Sequence, residues 1–151
     1  MISLLEKVII LKTVPLFASM SDNVLAQIAV ALREEQLPLG EMLFEKGDVG
    51  NSMYIIVSGQ VKAHDRGVIY NLLGDRDVFG EMAALDPAPR SASITATRDT
   101  LLLRLERSAL HEIMDTHYEV GQAIIEVLSR RLRERITDIG FLNTQLSRFK
   151  G

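Results

Sequence analysis

Phe79-Gly80-Glu81-Met82-Ala83-Ala84-Leu85-Asp86-Pro87-Ala88-Pro89-Arg90-Ser91-Ala92 is the span on which the reading of this chain turns. The short β-prone run Asp77-Val78-Phe79 stops at a glycine, small helix formers follow, and an arginine stands directly behind a proline. A strand that turns at Gly80 into a short helix leaves the first N–H groups of that helix without intrahelical acceptors, and an anionic oxygen is their natural occupant. Arg90 adds a planar, permanently charged fork able to hold two oxygens of one phosphate. Glu81 adds an acceptor-only group suited to a sugar hydroxyl. The same two side chains would also serve as a surface ion pair bracketing a turn, the usual fate of neighbouring opposite charges. Against that plainer reading stand Gly80, which an isolated ion pair does not need, and Ala83, Ala84 and Ala92, whose short side chains permit close backbone approach.

Outward from this span the pattern is β. From Gln36 onward, short apolar runs are punctuated by glycine: QLPL, Gly40, MLFE, Gly47, MYIIVS, Gly59, QVKAH, Gly67, VIYNLL, Gly74, DVF, the span above, then SITAT and TLLLRLE. Many short strands with glycine turns predict a closed or two-layered antiparallel fold rather than a parallel sheet.

FGEMAALDPAPRSA resembles the phosphate-binding cassette of the cyclic nucleotide-binding domains, whose pattern is similar to F-G-E-[LMI]-A-L-x(n)-P-R-[AST]-A. This family is shared by the catabolite activator proteins, the regulatory subunits of cyclic AMP-dependent protein kinase and the cyclic nucleotide-gated channels. The upstream stretch LPLGEMLFEKGDVGNSMYIIVSGQVK resembles the opening strands of the family's β-roll, with Gly40, Gly47 and Gly59 at its turns. The resemblance implies a mainly β, α+β fold: an antiparallel eight-stranded, jelly-roll-like β-roll flanked by N-terminal and C-terminal helices. It implies one domain over 1–151, with N-terminal helices over 1–35, the roll over 36–107 with its cassette at 79–92, and lid or dimerisation helices over 108–151. Carried over position by position, Arg90 would bind the exocyclic phosphate oxygens and Glu81 the ribose 2′-OH. Gly80, Met82, Ala83, Ser91 and Ala92 would line the same ligand, cAMP or cGMP, with Ser91 adding its hydroxyl; Ser91 favours cAMP. Arg135, Ile136 and Ile139 of the last helix would cover the base.

Flanking segments are helical. Ile2 to Leu11 predicts a short helix, broken at Val14-Pro15-Leu16-Phe17 because proline disfavours helix at the preceding residue. A second helix is capped by Ser19 or Ser21, carries Val24, Leu25, Ile28, Ala29 and Leu32 on one stripe, and ends near Glu35. Ser108 reads as the N-cap of a helix that ends before Tyr118. In the longer helix that follows, Ile125, Leu128, Leu132, Arg135, Ile139, Leu142, Leu146 and Phe149 fall in a heptad register with one polar member, a seam for a homodimer. The competing expectation is that its early members pack on the chain's own roll and Gly140 breaks the helix. Arg130, Arg131, Arg133 and Arg135 read as a solvated face, with Glu126 placed to pair with Arg130.

Composition limits what else the chain can be. With 151 residues, 47% of them hydrophobic and 25% charged, it has the length and apolar content of one globular domain. The absence of cysteine removes disulfides and thiolate chemistry and fits a reducing compartment. No apolar run approaches the roughly 20 residues of a membrane span and no basic segment precedes a secretory core, so a cytoplasmic setting is expected. A net charge of −3 argues against direct nucleic-acid binding. A metalloenzyme on a similar roll needs clustered ligands, whereas His64, His111 and His117 are scattered, and no nucleophile, base and oxyanion set appears. The expectation is a regulatory module, not an enzyme, without metal or resident cofactor, acting on an effector in the same or another chain. The alternative is a roll that has lost its ligand and serves for docking.

Overall fold

The computed structural model describes residues 1–150, with side chains described through residue 147. Two helices lead in, α1 (Leu4–Lys12) and α2 (Asp22–Ala31). Ten strands follow: β1 (Arg33–Leu37), β2 (Met42–Phe44), β3 (Val49–Gly50), β4 (Ser52–Ser58), β5 (Val61–Asp65), β6 (Val68–Leu73), β7 (Val78–Phe79), β8 (Ala88–Pro89), β9 (Ser93–Ala96) and β10 (Thr100–Glu106). A one-and-a-half-turn helix, α3 (Glu81–Leu85), interrupts them, and α4 (Arg107–Thr116) and α5 (Tyr118–Lys150) close the chain.

Eight strands form two four-stranded antiparallel sheets, ordered β1-β10-β4-β7 and β2-β9-β5-β6, while β3 and β8 make a separate two-stranded pair. The strict alternation of β4 and β10 explains the layering. Tyr54, Ile56 and Leu102 point between the sheets, where they meet Leu37, Val61, Phe79, Ile94 and Ala96. Met53, Ile55, Leu103 and Leu105 point the other way, into a second core built with Leu11, Phe17, Leu25, Ile28, Leu110, Val120 and Ile124 of the helical layer. The antiparallel β-roll with flanking helices is therefore the fold the sequence predicts, with Gly40, Gly47 and Gly59 at positive φ in its turns.

Boundaries differ in instructive ways. Ser21 caps α2, its hydroxyl accepting from Val24 N at 3.4 Å, but the helix ends at Ala31, not near Glu35. Arg33–Leu37 is instead an edge strand paired along its length with β10, so the roll begins at Arg33 rather than Gln36. Its polar sequence hides it: Arg33, Glu34 and Gln36 carry no apolar alternation, and only pairing with β10 makes it a strand. Likewise Ser108 does not cap α4; Glu106, the last residue of β10, holds that position, without a side-chain capping bond, because the strand runs directly into the helix.

The last helix runs unbroken through Gly140. Its core-facing residues are Val120, Ile124 and Val127, not the early heptad members, of which Ile125 is exposed and Leu128 packs only partly. Leu132, Ile139, Leu142 and Leu146 of the seam are exposed, and Arg135 with them. The Phe149 side chain lies outside the described residues. Among the described residues no helix is long and apolar enough to cross a membrane.

Candidate functional site

The turn from β7 into α3 is built on backbone geometry that only glycine adopts without strain. Gly80 occupies the left-handed region at φ 77°, as the N-cap of α3. A Cβ there would stand 2.7 Å from Arg90 Nη1 and 2.9 Å from the Ser52 carbonyl. Glycine is thus required twice, by conformation and by the closeness of the arginine. The Gly80 carbonyl accepts from Ala83 N and Ala84 N at 3.1 and 3.3 Å, which closes the first turn of α3.

Arg90 is fastened to the roll by its backbone before its side chain acts. Its N–H donates to the Asp48 carbonyl at 2.7 Å and its carbonyl accepts from Gly47 N at 2.9 Å. Beside these bonds Val49 pairs with Pro89 and Gly50 with Ala88, so the two-residue β3·β8 ladder holds the loop that presents the arginine. The side chain then turns inward, leaving the residue 9% exposed. Nη2 donates to the Ser52 carbonyl at 3.0 Å, whereas Nη1 is buried without a hydrogen-bond partner. No carboxylate lies within 4.0 Å of it among the described residues. Burial lowers its pKa from the usual arginine value, with nearby Arg104 adding to the effect and Tyr54 and Asp48 opposing it.

A buried cation with an orphaned donor is costly unless something neutralises it. The space for such a partner is a cavity of about 430 Å³ lined by Phe79, Gly80, Glu81, Met82, Ala83, Arg90, Ser91 and Ala92, with Phe44, Ala63, Leu73 and Ile94 among its apolar walls. All seven cassette positions named from the sequence meet in this one cavity. Arg135, Ile136 and Ile139 do not line it; they lie exposed on α5.

Two features of the site escaped sequence reading. Glu81 is not free: Arg131 of α5 approaches it, Nη1 to Oε1, at 3.4 Å. This arginine of the expected solvated face therefore joins the last helix to the cassette, and nothing local to either residue encodes that contact. The second is Gly50, where a Cβ would fall 2.0 Å from Arg90 Nε. A glycine inside a strand run often marks a close backbone approach, and that signal was present at Gly50. Histidines play ordinary parts: His64 Nε2 bonds Thr95 Oγ1 at 2.7 Å and His111 Nε2 bonds the Leu85 carbonyl at 3.2 Å.

Comparison with known proteins agrees with this architecture. Residues 34–117 match the cyclic nucleotide-binding domain family. The chain is 30% identical over 129 residues to a CRP-like cAMP-activated global transcriptional regulator of Mycobacterium tuberculosis, covering 82% of this chain but 58% of that protein's length. Among solved structures it is similar to the N-terminal domain of a transcriptional regulator from Streptomyces coelicolor, with a TM-score of 0.82, 30% identity, and 86% and 94% of the two chains covered. It is also similar to the regulatory domain of Toxoplasma gondii PKA crystallised with cAMP, with a TM-score of 0.68, 29% identity, and 73% and 44% covered. The chain belongs to the cyclic nucleotide-binding domain family.

Proposed function

We propose that this member of the cyclic nucleotide-binding domain family is a regulatory module that binds a cyclic nucleotide, cAMP in preference to cGMP, and reports its occupancy through α5. The observation that carries the reading is Arg90: a buried guanidinium with an unpartnered Nη1, no carboxylate beside it among the described residues and an open cavity in front of it. The phosphate of the ligand supplies the missing negative charge, and its oxygens take the in-plane donors of Arg90, the Ser91 hydroxyl and the amides that open α3. In the water-poor setting around Arg90 this attraction is stronger than on an open surface. Glu81 accepts from the ribose 2′-OH, while Ala83 and Ala92 keep the approach close and Met82 lines the cavity. The apolar walls formed by Phe44, Ala63, Leu73 and Ile94 suit the rest of a nucleoside.

The output runs through the Glu81–Arg131 pair. A ribose hydroxyl and the Arg131 guanidinium both draw on one carboxylate, so arrival of the ligand changes how α5 is held against the cassette. Arg135, Ile136 and Ile139 lie one to two turns beyond Arg131 and would come over the base when α5 shifts. The exposed stripe of Leu132, Ile139, Leu142 and Leu146 serves as the seam of a homodimer, and an effector region in the same or another chain receives the signal. The module carries out no chemistry on its ligand and acts in the cytoplasm.

Calorimetric titration of the purified chain, freed of co-purified nucleotide, with cAMP and in parallel cGMP tests the reading. Saturable binding with a preference for cAMP is expected, and Arg90→Ala should weaken it by about 2–5 kcal/mol, the range for removing one member of a buried charged contact. Silence with both nucleotides would leave a roll used for docking alone.

A further inference from the structure

Arg90 has two sides, and its surroundings treat them differently. Its edge carries the donors, of which Nη1 has no partner. Its guanidinium carbon lies over the Phe44 ring, 4.2 Å from the ring centroid. Phe44 is itself held in a trio of aromatic rings, 6.1 Å from both Tyr54 and Phe79, which stack on each other at 5.2 Å. On the remaining side the bare backbone of Gly50 leaves room that even one methyl group would abolish, a Cβ there falling 2.0 Å from Nε and 2.3 Å from the guanidinium carbon. A carboxylate in this position would satisfy the cation but occupy the same in-plane donors that a ligand anion needs. An aromatic face attracts the cation through its quadrupole and leaves the edge untouched.

We infer that Phe44 and Gly50 are positioning residues that form an aromatic seat for Arg90, holding the buried cation without a counter-ion so that its edge stays available to the ligand's phosphate. The inference rests on the functional reading above and adds to it residues from β2 and β3, outside the cassette. It also accounts for the charge arrangement: Asp48 is bonded through its carbonyl to the Arg90 amide, and its carboxylate accepts instead from Glu45 N at 2.9 Å, turned to its own loop.

Two measurements test the seat. In the ligand-free protein, the side-chain Nε–H resonance of Arg90 should be displaced by the Phe44 ring current, and Phe44→Leu should return it toward the position of the exposed arginines. In titrations with cAMP, Phe44→Leu should lose about fivefold to thirtyfold in affinity, the span from about 1 kcal/mol, the upper value of an exposed cation–π contact, to about 2 kcal/mol for a desolvated one. Phe44→Tyr, which restores an aromatic face, should bind within about twofold of the wild type. Gly50→Ala should lose about tenfold or more, since the guanidinium must leave its seat. Thermal melts of each variant separate loss of fold from loss of grip. An undisplaced Arg90 resonance in the wild type overturns the seat, and so does Phe44→Leu binding as tightly as the wild type. A wild-type chain that binds neither cAMP nor cGMP overturns the functional reading and this inference with it, an outcome distinct from binding that ignores Phe44 and Gly50.

Discussion

The cassette and the far half of α5 each leave chemistry unmet, but of opposite kinds. At Arg90 a polar group is buried without a partner, beside a left-handed glycine turn and in a cradle one methyl group would fill. Along α5, apolar groups stand in water: Leu132 is 62% exposed and Leu142 59%, and the glycine at position 140 has nothing within 4 Å of where a Cβ would sit. A buried cation calls for a small anion that can enter a cavity. An exposed stripe of leucine and isoleucine calls for an extended apolar surface, which on the proposed reading a second copy or an effector region supplies. On the proposed reading, the first region receives the signal and the second delivers it.

The contrast is sharpest at Arg90 itself. Arg90→Met keeps an apolar stem on Phe44 and removes the unpaired charge, so ligand affinity should fall by about 2–5 kcal/mol while the stability of the ligand-free fold does not fall. Titration and denaturant unfolding of the same sample check both halves, and a variant that binds normally would erase the distinction between the two regions. Gly80→Ala comes next. The left-handed backbone and the approach of Ser52 and Arg90 should together lower folding stability by about 1–3 kcal/mol, read as a shift in the urea midpoint at unchanged slope.

At the junction of the two regions, Arg131→Ala removes a half-exposed ion pair and should cost about 0.2–1 kcal/mol of ligand-free stability. Its larger effect should be on communication: amide exchange in α5 should then no longer respond to cAMP, although the cassette still binds it. The smallest effect on folding belongs to the far half of α5. The double substitution Ile139→Gln with Leu142→Gln should change monomer stability by less than about 0.5 kcal/mol, because both side chains already lie in solvent. It should nonetheless move the sedimentation coefficient from dimer to monomer. If the wild type sediments as a monomer throughout, the exposed stripe has another use.

Most of the fold could be read in advance because it is written in local periodicity. The runs MYIIVS, QVKAH, VIYNLL and TLLLRLE became β4, β5, β6 and β10, with β4 buried on both faces and β6 exposed along most of its length. Arg33–Leu37 could not be read, since a polar edge strand carries no alternation and acquires its structure from β10. The cassette residues were legible as a group: a glycine, a carboxylate, small residues and an arginine in fixed order have few uses together. Their gathering into one cavity followed.

By itself, then, the amino-acid order determined the antiparallel roll, the turn at Gly80 and the identity of the groups that face the cavity. Only the tertiary structure decided that Arg90 lies on Phe44 with no counter-ion among the described residues, that Gly50 makes room for it, and that Arg131 meets Glu81 across fifty positions of sequence. The physical reason is range. Period, capping and turn chemistry act over a few residues, whereas the charge state and reach of a buried side chain depend on neighbours that folding alone brings together.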